Sequence, residues 1–164
     1  MQYLLRYDSP VGAMTMASDG EALTGLWFDG QKYFAAGVKE GCTERELPVF
    51  KETRKWLDTY FSGKEPKFAP PISMGGATPF RKRIWQILLT IPFGQTRTYG
   101  DLAKQVASEF GKRPCAQAVG GAVGHNPISI IIPCHRVVGG GGKLTGYAGG
   151  LDRKEALLKL EKIR

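Results

Sequence analysis

Ile128-Ser129-Ile130-Ile131-Ile132-Pro133-Cys134-His135-Arg136-Val137-Val138 is the stretch on which the reading of this chain turns. Its first five residues are an apolar run that reads as a strand. Proline cannot donate to a strand ladder, so Pro133 ends the pairing and leaves Cys134 at a constrained bend. A thiol delivered to a bend beside an imidazole is a candidate nucleophile. A free thiol with a pKa near about 8.5 is only a few per cent ionised at neutral pH, so it needs a base to become reactive. His135 is the base at hand, although adjacent side chains reach one another awkwardly.

Working outward toward the C-terminus, Gly139 to Gly142 predicts a mobile loop and Leu151 to Ile163 a final helix. On that helix Glu161 lies one turn from Leu157 and Leu158, on the apolar side, where a carboxylate needs a partner. Toward the N-terminus the pattern is helical back to Thr78. Thr78 with Pro79 opens a helix to about Thr90 that buries Phe80, Ile84, Ile87 and Leu88. Thr98 and Asp101 are spaced as a capping box for a second helix carrying Leu102, Val106 and Phe110 and closed by Gly111. Pro114 opens a third helix to about Gly124. The last two make a helix-turn-helix pattern, in which the second helix approaches nucleic acid.

That third helix carries Ala116, Ala118, Gly120, Gly121, Ala122 and Gly124 and so has almost no side-chain bulk. Glycine inside a helix costs about 1 kcal/mol relative to alanine, so the segment needs a reason. Close approach of another backbone is one, and tight packing against a neighbouring helix is the other.

Residues 64 to 77, with Pro66, Pro70, Pro71, Gly75 and Gly76, predict a crossing between two domains, 1–77 and 78–164. Before it, Tyr3 to Tyr7, Ala13 to Ala17 and Leu23 to Phe28 alternate between turn signals as a three-stranded antiparallel meander. Pro48 to Ser62 follows as a helix bearing Phe50, Trp56, Leu57, Tyr60 and Phe61, with Gly63 as its stop.

Composition narrows the function. Hydrophobic residues at 42% and charged residues at 23% are ordinary globular values, so disorder and a membrane span both lack support. The first seven residues lack the features of a secretory signal, and three cysteines with no CxxC favour a reducing cytoplasm over a disulfide framework or a zinc site. A formal charge of +8 favours an anionic partner, with nucleic acid first among them, although many soluble proteins are basic without binding DNA. Cys42 and Cys115 have no attached base, and His125 has no metal-ligand spacing, so none of these three is assigned a role.

Pro133-Cys134-His135-Arg136-Val137 resembles the active-site signature of the O6-alkylguanine-DNA alkyltransferases, also called methylated-DNA–protein-cysteine methyltransferases. Asn126-Pro127 upstream and Gly146-Tyr147-Ala148-Gly149-Gly150-Leu151 downstream keep the family's spacing. The resemblance spans roughly residues 78 to 162 and is looser before that. It implies an α/β N-terminal domain, a small antiparallel sheet plus helix of ribonuclease H-like type, followed by a mainly α, winged helix-turn-helix-like C-terminal domain.

It also implies an activity: irreversible, single-turnover transfer of an alkyl group from O6-alkylguanine in double-stranded DNA onto Cys134, without metal or cofactor, by a cytoplasmic monomer, while whether O4-alkylthymine is also a substrate stays open. Cys134 would be held as a thiolate by His135, reached through a water, and His135 steadied by Glu161, with Asn126 fixing the bend. Tyr99 would help flip the nucleotide and donate to the departing guanine, and Tyr147, Val123, Leu144, Ala148 and Gly149 would wall the pocket. Ala116, Ala118, Gly120, Gly121, Arg113 and Thr98 would meet the minor groove. Arg81, Lys82, Arg83, Arg97, Lys104, Lys112 and Arg136 are further candidate charges, Arg136 being the most structural. One position departs from the family: Gln117 stands in the Ala-x-Ala-Val-Gly segment where an arginine usually fills the gap left by the flipped base, which predicts weaker binding or slower flipping. A lesion-binding protein of the same fold would lack the cysteine that is present here. A Cys-His hydrolase would need an oxyanion hole that nothing in the sequence suggests.

Overall fold

The computed structural model describes residues 2–35, 38, 41–113 and 115–163. The chain divides into two compact units, Met1–Gly75 with Pro127–Ser129 and Gly76–Asn126 with Ile130–Arg164, so the first unit takes in a segment outside residues 1–77.

In the first unit the turn signals produce β1 (Tyr3–Ser9), β2 (Gly12–Ser18) and β3 (Leu23–Phe28), paired antiparallel in succession. A fourth strand, β4 (Thr43–Glu44), pairs parallel with β1, giving the order β3-β2-β1-β4. The sheet is therefore mixed, where the sequence predicts an antiparallel one. Two exposed residues cannot display a two-residue hydrophobic period, so β4 leaves no trace in the sequence. Helix α1 (Pro48–Phe61) starts on its proline and is followed by Gly63 at φ 89°. It packs on β1, β2 and β3 through Phe50, Leu57 and Tyr60, all fully buried, against Met14, Met16, Leu26 and Phe28. Each such side chain contributes roughly 1.5–3 kcal/mol by leaving water.

In the second unit α2 (Pro79–Leu88) is capped by Thr78, whose hydroxyl accepts from the Arg81 N–H at 3.2 Å. The two-residue strand β5 (Arg97–Thr98) leads into α3 (Tyr99–Phe110), which has the full Thr98–Asp101 capping box and a left-handed Gly111 at its end. Helix α4 runs Ala116–Gly124, and Pro114, expected to open it, lies outside the described residues. These three helices pack on one another through Ile84, Ile87, Leu88, Leu102, Val106, Val119 and Ala122, and the Trp85 indole donates to the Ala122 carbonyl at 2.8 Å. Phe80 and Phe110 do not join this core. They meet edge to face at 6.0 Å, Phe80 half buried and Phe110 41% exposed, because both stand at helix ends beyond the packed layer.

The apolar run before Cys134 is not a strand. Ile128 makes one isolated bridge to Leu26, and then the chain turns, with Ile130 at φ 70°. Ile128 to Ile132 are buried at every position, a pattern that a half-exposed strand cannot have and that length and composition alone do not distinguish from a buried turn. A single 3-10 turn, Cys134–Arg136, follows, and β6 (Val137–Val138) pairs parallel with β5. Gly139–Gly142 folds back tightly, the Gly139 N–H donating to the Lys143 carbonyl at 2.7 Å. Helix α5 (Leu151–Leu160) ends one residue before Glu161, shorter than the predicted span to Ile163.

Candidate active site

Cys134 opens the 3-10 turn with its side chain buried. Its sulfur faces the Asn126 side-chain amide and the backbone N–H groups of Cys134 and His135, with the Lys154 ammonium close enough to act on it electrostatically. Asn126 is buried just past the end of α4, and its amide also donates to the Ile132 carbonyl at 2.7 Å, which ties the end of the helix to the bend before the cysteine. Burial nonetheless outweighs these groups and pushes the Cys134 thiol up. Burial thus works against the thiolate that the sequence predicts. A low-dielectric site penalises the charged form, so the anion has to be made as the proton leaves.

The base is placed for that. His135 is fully buried, and its Nε2 lies 2.5 Å from Glu161 Oε2. A carboxylate on Nε2 selects the tautomer with its proton there, so Nδ1 is the nitrogen that carries the lone pair. Burial holds the imidazole below its ordinary value against the pull of Glu161, which keeps it neutral near pH 7. Glu161 is itself buried. Burial alone would raise its carboxyl, but His135, Arg136 and the Gly94 N–H bring it down to about 2. A neutral imidazole held by an ionised carboxylate thus follows Cys134 in the chain.

Around the sulfur stand two phenols. Tyr99, at the start of α3, donates to the Thr145 carbonyl at 3.2 Å. The Tyr147 hydroxyl is buried and has no hydrogen-bond partner among the described residues. Burial is the main cause that raises both, so both remain donors. Leu144 and Ala148 are half buried on the same loop, Gly149 is buried and accepts from Arg153 Nη1 at 3.2 Å, and Val123 is buried near the end of α4.

One residue here escapes the sequence reading. Lys154 is fully buried, its ammonium donating to the Thr145 and Gly146 carbonyls at 3.0 and 3.1 Å and lying 5.8 Å from the centre of the Tyr99 ring. It therefore grips the same loop that Tyr99 grips. A signal exists: Lys154, Leu157, Leu158 and Glu161 are spaced i, i+3, i+4, i+7, one stripe of α5, and all four are buried.

The candidate nucleic-acid residues lie apart from this chain of groups. Ala116, Gln117, Ala118 and Gly121 are exposed on α4, Gly120 is half buried, Arg113 is exposed and Thr98 is occupied as the cap of α3. A Cβ built on Gly120, Gly121 or Gly124 would meet nothing within 4 Å. Packing against an internal neighbour thus does not account for these three glycines. Among the candidate charges, Arg83 is held by a two-pronged ion pair to Glu109 at 2.6 Å, Arg97 donates to Gln105 and Arg136 is buried, whereas Lys104 and Lys112 are exposed and Arg81 and Lys82 half exposed. Cys42 is half buried and Cys115 exposed, and neither forms a disulfide. Among the described residues no group of three metal-ligating side chains occurs, and no helix is long and apolar enough to cross a membrane.

A buried thiol followed in the chain by a buried imidazole–carboxylate pair, on a unit that also carries an exposed helix of small residues, has the makings of a nucleophile with its base. Comparison with known proteins agrees with that class. Residues 79–163 match the family described as 6-O-methylguanine DNA methyltransferase, DNA binding domain, and residues 3–74 match its ribonuclease-like domain. The methylated-DNA–protein-cysteine methyltransferase of Mycobacterium bovis is 46% identical over 157 residues, covering 96% of this chain and 90% of that one. The crystal structure of Mycobacterium tuberculosis O6-methylguanine methyltransferase aligns with a TM-score of 0.84 at 44% identity, over 99% of this chain and 93% of that one. The structure of Mycobacterium tuberculosis OGT in complex with DNA aligns equally well, over 98% and 92%. This chain belongs to the 6-O-methylguanine DNA methyltransferase family.

Proposed function

We propose that this protein repairs alkylated DNA directly, moving the alkyl group of O6-alkylguanine onto its own Cys134. The observation that carries the reading is the buried His135–Glu161 pair beside an equally buried thiol. The thiol proton passes to His135, by way of a water because neighbouring side chains meet awkwardly, and Glu161 stabilises the imidazolium. The sulfur attacks the alkyl carbon, an S–C bond forms as the C–O6 bond breaks, and the electron pair goes to the guanine. Tyr99 supplies a proton to the departing base, so guanine leaves neutral. The thioether has no route back to a thiol, so each molecule acts once.

The target atom lies inside a duplex, so the nucleotide must be extruded into the pocket at a cost of a few kcal/mol. Tyr147, Val123, Leu144, Ala148 and Gly149 wall that pocket. The bulk-free face of α4 enters the minor groove, Arg113 and Lys112 meet phosphates, and Gln117 fills the space of the flipped base. Gln117 hydrogen-bonds the orphaned partner but brings no charge. Three cysteines, none in a disulfide, fit a reducing cytoplasm, and no step above asks for a second protomer, a metal or a cofactor.

The test is a stoichiometric one. A duplex carrying one O6-methylguanine is mixed with the protein and methyl transfer is followed to completion, with the modified peptide mapped. The reading predicts a plateau at one methyl per protein, on Cys134. Continued turnover would identify a hydrolase, and tight lesion binding without transfer a non-catalytic lesion sensor.

A further inference from the structure

Glu161 does more than face the imidazole. Its Oε1 accepts from Arg136 Nε at 2.8 Å and from the Gly94 N–H at 3.0 Å, while Oε2 is taken by His135. Arg136 is held in turn, its Nη1 donating to the Ile91 carbonyl at 2.7 Å and its guanidinium lying 5.8 Å from the Phe93 ring centre. Arg136 follows His135 in the same 3-10 turn, so successive residues hold opposite oxygens of one carboxylate.

We infer that Arg136 is a positioning residue that keeps Glu161 ionised and immobile, so that His135 stays a neutral, competent base well into mildly acidic solution. A buried carboxylate facing an imidazole alone would give its whole charge to the imidazolium and draw the proton onto the ring. With Arg136 on the other oxygen the carboxylate charge is already balanced, and the imidazolium gains less from it. The charged groups bearing on His135 are Glu161 just past α5, which favours its protonation, and Arg136 from the turn and Lys154 from α5, which oppose it. Cys134, Tyr99 and Tyr147 are the remaining titratable groups at the site, and all three stay protonated near neutrality. The carboxylate therefore orients the base without competing for the proton, and two cations protect the base from acid.

This inference rests on the alkyl-transfer reading, and its test separates the two. The rate of Cys134 benzylation by free O6-benzylguanine is measured from pH 5 to pH 9, on the order of four units, for the wild type, Arg136→Gln and Arg136→Lys. With the cation gone, His135 protonates at higher pH. The acid limb of Arg136→Gln should rise by about one unit, making its deficit about tenfold greater at the acid end than at the alkaline end. Arg136→Lys, which keeps the charge, should lose rate evenly and keep its limb in place. An equal loss for Arg136→Gln at every pH overturns the proposal and assigns Arg136 to structure alone. Carbon NMR of Glu161 in the wild-type chain decides the matter if Arg136→Gln does not fold: a carboxylate signal unchanged through the ordinary carboxyl range supports the clamp, and titration within that range sinks it. A wild type that takes no benzyl group would instead refute the alkyl-transfer reading and leave the NMR result to judge the clamp.

Discussion

The turn around Cys134 and the exposed face of α4 are opposites. At the turn the buried charged and amide groups are answered: Asn126 by Ile132 and the sulfur, Glu161 by His135, Arg136 and Gly94, Lys154 by two carbonyls. On α4 the fold asks nothing of Ala116, Ala118 or Gly121, which are exposed, and nothing would obstruct a side chain at the glycines. In the first region the identity of a residue is set by its internal partners. In the second it is unexplained until something outside the molecule is supplied.

If that contrast is right, the largest effects on folding belong to the turn. Glu161→Ala leaves Arg136 buried without its carboxylate and removes the support of His135, and should cost about 3–5 kcal/mol in urea unfolding. A loss under about 1 kcal/mol would mean that the network is incidental.

Acid should find the same weakness. The folded protein holds His135 below its ordinary value of 6.5, so as pH falls through that value the unfolded chain takes up a proton that the native state refuses. Stability present above pH 6.5 is then progressively lost below it. Glu161 adds a second loss lower down, between the ordinary carboxyl value of 4.5 and about 2, as its depressed carboxyl is finally protonated. A melting temperature flat from neutrality to the ordinary carboxyl range would contradict the His135 assignment.

On α4 the expected signs change. Gln117→Arg should leave stability within about 0.5 kcal/mol, as for other surface substitutions, while tightening DNA binding several-fold and steepening its salt dependence by about one counterion. No change in affinity or repair rate would remove Gln117 from the interface. Gly121→Ala should raise stability by about 0.5–1 kcal/mol, because helix propensity improves and no internal atom objects, yet weaken binding to duplex. Stabilisation with undiminished binding would put the close approach elsewhere.

The same contrast governs how much the sequence reveals. The capping box at Thr98, the start at Thr78 and the three consecutive strands are legible because local hydrogen bonds and alternation decide them. Cys134, His135 and Glu161 are legible because their chemistry demands a series, which the family signature locates. The bend before Cys134 is not, since a run of isoleucines reads alike whether it is extended or turned inside a core, and Ile130 adopts a backbone angle that no propensity anticipates. Lys154 is overlooked for a related reason. A lysine on a helix ordinarily faces water, and only tertiary carbonyls, invisible in one dimension, make it an interior residue. The protonation of Cys134 depends on how completely it is buried, which spacing does not encode.

Three thiols in one chain allow a direct trial of whether reactivity follows the constructed site or mere exposure, since Cys115 is open to solvent and Cys134 is not. Incubation with free O6-benzylguanine followed by peptide mass mapping should find a single benzyl group per molecule, on Cys134, with Cys42 and Cys115 untouched. A benzyl group on Cys115, or none on folded protein, would contradict the account.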